Sequence, residues 1–309
     1  MKAYVRQQAT SGTVALMDVP VPEIDDHEVL VEVRAFGVGV HDRYFIPSTA
    51  TFPYPIGTEA SGVIVATGGK VAEFEVGDAV ALTSLLSPKG GPWAQFVVVP
   101  ERSLMRLPEK LSFVEGAAIP VAGGAALESM KALDLKSGDS LFIAGASGAI
   151  GTLVIQLAVA RGIRVVGSAS SKNHDYMQSL GAEMAVDYAD PDWKKHVKQW
   201  MSGGMDAALA IQPGTGQDSV DVVKDGGKVV TVSGDSDRVV PERSITVQQM
   251  MHYEETRQDL IRLMSDIAAG RVRLVIERVY PFEQALDALR KTETRHARGK
   301  LVVSVEHKE

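Results

Sequence analysis

The sequence predicts an α/β protein in which a doubly wound parallel sheet accompanies a β-rich domain, and three observations predict it. Residues 140–171, SLFIAGASGAIGTLVIQLAVARGIRVVGSASS, run as an apolar strand, a glycine turn, a helix and a second apolar strand. That is the first half of a dinucleotide-binding βαβ unit. From Ser112 onward, helix and strand patterns alternate, as a parallel sheet covered by helices requires. The first hundred residues are instead rich in Val, Gly and Pro with short alternating runs, which is how β structure reads.

Taken in order, residues 29–35, 60–67, 79–83 and 94–99 are expected strands, with turns at Gly68-Gly69 and Gly90-Gly91. The strand over 141–144 leads through the glycine turn into a helix over 150–161. Strands follow over 164–169, 184–186, 207–211 and 228–232, separated by helical segments. A helix over 254–269 and strands over 274–280 and 300–305 complete the chain. The uncharged run 141–160 has about the length that crosses a bilayer as one helix. Glycines at 145, 148 and 151 argue instead for a buried strand followed by a covering helix. No solenoid repeat or low-complexity linker interrupts the pattern.

Ala146, Gly148 and Gly151 occupy the three small-residue positions of G-x-G-x-x-G, with alanine in the first. In this spacing the first position permits the tight turn, Gly148 lets backbone N–H groups approach a pyrophosphate, and Gly151 brings helix and strand close. Ser147, Ala149 and Ile150 complete the cradle, with the phosphates expected on the helix N-terminus. The end of the second strand reports which nucleotide is read. NAD recognition would place Asp or Glu about 20 residues after the glycines. Here Ser168, Ser170, Ser171 and Lys172 offer hydroxyls and a cation, which suits the 2′-phosphate of NADP(H). The same residues also read as the cap of a helix beginning near Asn173.

Composition bounds the partners. The chain has 309 residues, 45% of them hydrophobic and 23% charged, enough for about two domains with ordinary cores. Its net charge of −7 favours neither nucleic acid nor an acidic membrane surface. The start, MKAYVRQQAT, lacks the apolar core of a signal peptide, so a cytoplasmic location is expected. The absence of cysteine excludes disulfides, thiolate nucleophiles and sulfur-based zinc sites.

Five stretches carry a family resemblance: Gly57-Thr58-Glu59-Ala60-Ser61-Gly62, Val76-Gly77-Asp78-Ala79-Val80, the turn over 144–151, Leu180-Gly181-Ala182 with Asp187-Tyr188, and Gly299-Lys300-Leu301-Val302-Val303. With these the whole chain resembles the medium-chain dehydrogenase/reductase superfamily and, within it, the zinc-free quinone oxidoreductase-like branch. The resemblance implies a Rossmann doubly wound parallel sheet, over 115–252, inserted in a GroES-like β-rich catalytic domain over 1–114 that residues 253–309 complete. A cleft for nicotinamide cofactor and substrate is implied with it. So is NADPH-dependent reduction of quinones or α,β-unsaturated carbonyls by hydride transfer. A zinc-free alcohol or carbonyl reductase and a non-catalytic nucleotide-binding sensor are the alternatives.

Where zinc enzymes of this superfamily carry Cys and His ligands, this chain has Gly39 and Thr58, and the four-cysteine lobe is absent. His41, Asp42 and Glu59 lack a recognisable metal spacing, so no metal is expected. Tyr44 matches a cleft tyrosine of the branch, either donating a hydrogen bond to the substrate oxygen or forming a pocket wall. By the same matching, Tyr188 lies near the adenosine ribose, Ser233 near the carboxamide, and Arg295 and Lys300 lend positive charge to the cofactor or stand on a solvated surface. Gly39 and Ala125 replace an Asn and a Thr common in the branch, removing two polar anchors. Residues 244–250 match the last strand of the family's sheet, the edge through which a homodimer is expected.

Overall fold

The computed structural model describes residues 1–253 and 255–306. The chain divides into two compact units: Met1–Val121 with Ile261–Ala269 and the chain from Ile276, and Ala122–Leu260 with Gly270–Val275.

In the first unit a seven-stranded sheet is built around Glu28–Val38. That strand alternates half-buried and buried residues, so Val29, Val31 and Val33 share the core face. It pairs antiparallel with Glu59–Thr67 and Phe96–Pro100 and, through Val38↔Leu301 to Ala35↔Ser304, with Lys300–Ser304. The sheet continues through Ala79–Thr83 and Leu104–Arg106 on one side and Ile276–Pro281 on the other. A separate three-stranded sheet has the order Val14–Asp18, Lys2–Arg6, Tyr54–Pro55. The strand Lys2–Arg6 is absent from the pattern-based expectation because it buries Ala3, Tyr4 and Val5 consecutively, leaving no alternation to read. Its Tyr4 belongs to an aromatic core with Phe36, Trp93 and Phe282, and the phenol donates to the Phe282 carbonyl at 2.8 Å.

The second unit holds a six-stranded parallel sheet in the order Met184–Val186, Arg164–Ser168, Ser140–Ala144, Met205–Ala210, Val223–Thr231, Thr246–Gln249. Every adjacent pair is parallel. The chain starts at Ser140–Ala144, builds outward on one side, then returns to Met205–Ala210 and builds outward on the other. The order therefore reverses between those two strands, and ligands of open α/β sheets bind at that reversal, beyond the carboxyl ends. Helix Ala149–Ala160 covers the sheet with its buried face of Leu153, Val154 and Ile155.

Most strand ends fall within two residues of expectation. Two do not: Glu28–Val38 runs three residues past the expected 35, and Val223–Thr231 begins five residues before the expected 228. Asp225-Gly226-Gly227 reads as a turn, yet Val223 pairs Met205 and Lys228 pairs Ala207, so the intervening residues form a bulge inside the strand, with Gly226 at φ +72°. The expected helix over 254–269 is found as Thr256–Ala268, and Glu254 lies outside the described residues.

Candidate functional site

The dinucleotide turn follows Ser140–Ala144. The left-handed residue is Gly145, at φ +89°, and the N–H groups of Gly145 and Ala146 both donate to the Ser168 carbonyl at 3.1 Å. This corrects the role expected of Ala146. The tight turn is made one residue earlier, and Ala146 is fully buried, where its methyl fills the space over Gly167. A Cβ on Gly167 would stand 2.9 Å from that methyl. A Cβ on Gly151 would lie 2.6 Å from the Ala146 Cα and carbonyl, so Gly151 is required for packing.

Gly148 is different. It has φ −80° and ψ 178°, open to any residue, and a Cβ there would meet only the Gly145 carbonyl at 3.5 Å. It is the N-cap of helix Ala149–Ala160 and supplies no side-chain hydrogen bond. The first-turn N–H groups thus receive no side-chain cap, with the positive end of a 12-residue helix behind them. Ser147 stands at the rim, its hydroxyl accepting from Asn173 Nδ2 at 3.2 Å. Small and uncapped, this turn leaves room for a phosphate at Gly148.

Beyond the next strand the expected nucleotide-reading residues fall into one group. The hydroxyls of Ser170 and Tyr188 are 3.1 Å apart, and Tyr188 is 52% exposed. Lys172 is exposed in the short turn Ser171–Asn173. Ser168 is buried, and its carbonyl holds the glycine turn. Asp187 organises the group: it accepts from the N–H of Ala189 at 2.9 Å and of Ser171 at 3.1 Å, and those bonds hold its carboxyl below the usual range. Sequence reading missed the tying roles of Asn173 and Asp187, which no local pattern encodes. At the end of Val223–Thr231, Ser233 donates to Asp235 at 2.6 Å, and Asp235 also takes the Gly214 N–H at 2.8 Å. The segment from Pro120 through Ala126 forms the first turns of helix Pro120–Leu133.

Tyr44, Arg295 and Lys300 belong to the first unit. Tyr44 is 56% exposed on a turn closed by the Tyr44 and Phe45 N–H groups on the His41 carbonyl, at 2.7 and 3.0 Å. Below it Asp42 is 1% exposed, its carboxylate taking the Gly39 N–H at 2.6 Å and the Thr58 hydroxyl at 2.7 Å. Burial pushes the Asp42 carboxyl up to about 6, against the pull of Lys300 and of these two hydrogen bonds, while the Glu59 charge adds to the rise. Lys300 is not a surface cation. It is 5% exposed and ion-paired with Glu59, whose other oxygen accepts the Val121 N–H at 2.7 Å at the start of helix Pro120–Leu133. A buried ammonium demands such a partner, so its charge is neutralised where it stands. Arg295 is exposed just after helix Ala285–Glu293, at φ +59°. Partial burial and the Arg295 charge lower the pKa of His41. Among the described residues no three His, Asp or Glu side chains are grouped to hold a metal.

Comparison with known proteins agrees with this architecture. Residues 25–109 match the alcohol dehydrogenase GroES-like domain and residues 180–303 the zinc-binding dehydrogenase family. The chain is 29% identical to the NADPH-dependent alkenal/one oxidoreductase, chloroplastic, of Arabidopsis thaliana, over 98% of this chain and 79% of that protein. It is 28% identical to the quinone oxidoreductase of Sus scrofa, over 93% of this chain and 92% of that protein. The structure of the quinone oxidoreductase from Coxiella burnetii superposes with a TM-score of 0.90 at 28% identity, covering 99% of both chains. The chain thus carries a GroES-like and a zinc-binding dehydrogenase domain, and its homologues are quinone oxidoreductases and alkenal/one reductases of the medium-chain dehydrogenase/reductase superfamily.

Proposed function

We propose that this protein is an NADPH-dependent, zinc-independent oxidoreductase that reduces quinones or α,β-unsaturated carbonyls. The observation that carries the reading is the open cradle at Gly148 on an uncapped helix N-terminus at the reversal of strand order. The acceptor class is supported by the names of the relatives, an alkenal/one reductase and quinone oxidoreductases. When bound, the reduced nicotinamide supplies the hydride. The chain's own residues bind and orient. The N–H groups at Ala149 and Ile150 receive the pyrophosphate, and Ser170, Tyr188 and Lys172 receive the 2′-phosphate. Tyr44 donates a hydrogen bond to the acceptor oxygen as it gains charge. Zinc independence is supported by Gly39 and by Thr58, which commits its hydroxyl to Asp42. A homodimer joined along the Thr246–Gln249 edge, which has a partner strand on one side only, belongs to the same reading.

Steady-state NADPH oxidation with a benzoquinone, an enone and a simple aldehyde tests the reading. Turnover is expected with the first two; activity confined to the aldehyde would identify a carbonyl reductase, and none with any acceptor a binding protein. NADPH is expected to bind at least about tenfold more tightly than NADH. Lys172→Glu should weaken NADPH far more than NADH by calorimetry, because only the former carries the extra phosphate. An equal loss for both would make Lys172 structural.

Tyr44→Phe should lower single-turnover reduction of an enone by about a hundredfold with unchanged nucleotide affinity, the loss of one preorganised donor. Quinones should suffer less, since the reduced oxygen is more readily protonated by water. Wild-type rates on every acceptor would leave the hydroxyl without a role.

A further inference from the structure

The turn that carries Tyr44 is tethered through a pair the proposed reaction does not itself use. Arg43 Nη2 meets Glu293 Oε1 at 2.5 Å, each side chain being 27% exposed. The Arg43 carbonyl accepts from Arg6 Nη1 at 3.3 Å, fixing the backbone of the same residue. Glu293 is the last residue of helix Ala285–Glu293, where the partial negative charge of the helix end does not favour a carboxylate. Arg43, rather than the helix, accounts for a carboxylate there. The guanidinium carbon stands 5.1 Å from the centroid of the Tyr44 ring, within cation–π range. Its Nε and the Glu293 Oε1 are both buried without a hydrogen-bond partner among the described residues, so the pair is held by charge.

We propose that Arg43 and Glu293 are positioning residues for Tyr44: the carboxylate anchors the guanidinium, and the guanidinium confines the phenol ring so that its hydroxyl is presented in one direction. This rests on the reading of Tyr44 as the donor to the acceptor oxygen. A ring that is 56% exposed on a loop otherwise samples several rotamers, and a donor spread over them stabilises developing charge poorly. The fixed positive charge beside the ring also polarises the O–H bond toward an accepting oxygen. Glu293 keeps that charge at the ring instead of letting it reach into solvent.

The experiment is a double-mutant cycle read by single-turnover enone reduction, together with the ¹⁹F resonance of 3-fluorotyrosine placed at position 44. Arg43→Gln should slow reduction about tenfold with unchanged nucleotide affinity, and Glu293→Gln severalfold. Arg43→Lys, which keeps the charge without the planar fork, should recover part of the loss. In a Tyr44→Phe background Arg43→Gln should cost less than about twofold, because nothing is left to position. The resonance at position 44 should move or broaden in Arg43→Gln and return toward its wild-type position in Arg43→Lys. An equal tenfold loss in both backgrounds, or an unmoved resonance, would overturn the positioning role. Failure of the underlying reading shows separately, as a Tyr44→Phe single variant that matches wild type.

Discussion

Gly148→Val is expected to remove nicotinamide nucleotide binding while leaving the protein folded. A valine is unstrained at φ −80°, ψ 178°, and its Cβ meets no protein atom nearer than the Gly145 carbonyl at 3.5 Å. Its branches would fill the space in front of the first-turn N–H groups of Ala149–Ala160. Each charge-assisted bond to a phosphate is worth about 1.5–3 kcal/mol, so blocking two of them costs about 4 kcal/mol, or roughly a thousandfold in affinity. Calorimetric titration with NADPH measures the loss, and circular dichroism with thermal melting checks the fold. Gly151→Ala is the contrasting control. Its Cβ would stand 2.6 Å from the Ala146 backbone, so it should lower stability and soluble yield first. NADPH affinity within tenfold of wild type in Gly148→Val would mean that the phosphates bind elsewhere.

The contrast between these two glycines shows what sequence can and cannot say. The spacing of Ala146, Gly148 and Gly151 is a local code, because turn, cradle and close packing are all settled within a few residues, and the surrounding strand–helix–strand pattern is local too. What was read wrongly inside the motif is which residue turns. Gly145, at φ +89°, makes the left-handed step, and a motif written by small residues does not separate it from its buried neighbour Ala146. The bulge in Val223–Thr231 is another such case: Asp-Gly-Gly signals a turn equally well between strands and inside one.

Long-range pairing was not legible at all. Lys300 reads as a cation facing the cofactor or solvent because lysine is rarely buried. Its burial depends on Glu59, on a strand far away in sequence, and on the Val121 N–H that takes the other carboxylate oxygen. Arg43 and Glu293 are separated just as widely. Charge pairs at such distance leave no periodicity behind, whereas the second unit's candidate residues sit on consecutive βα turns that a local pattern can mark.

Asp42 is the sharpest case of a residue whose environment only the fold reveals, and it leads to a prediction with a definite pH window. Its ordinary carboxyl value is 3.8, and burial raises it to about 6 in the folded protein. The folded state therefore holds the proton more tightly than the unfolded chain. Below about pH 3 both states are protonated, and Asp42 costs nothing for its charge. As pH rises from about 3 to about 7 the unfolded chain ionises first, stability falls, and above about pH 7 the full cost remains. At 1.36 kcal/mol per unit, that cost is about 3 kcal/mol near pH 7.5. Asp42→Asn removes the charge yet keeps the geometry, since the amide oxygen still accepts the Gly39 N–H and the amide nitrogen can donate to Thr58. The variant should be more stable than wild type by about 3 kcal/mol at pH 7.5, by less at pH 5, and by almost nothing near pH 3. Urea unfolding across that range, with the Asp42 carboxyl followed by ¹³C NMR, measures both the difference and the titration behind it. A stability difference that does not change with pH would mean that Asp42 ionises as an ordinary carboxylate, and a variant less stable at pH 7.5 would mean that the ionised form is what the Gly39 and Thr58 hydrogen bonds require.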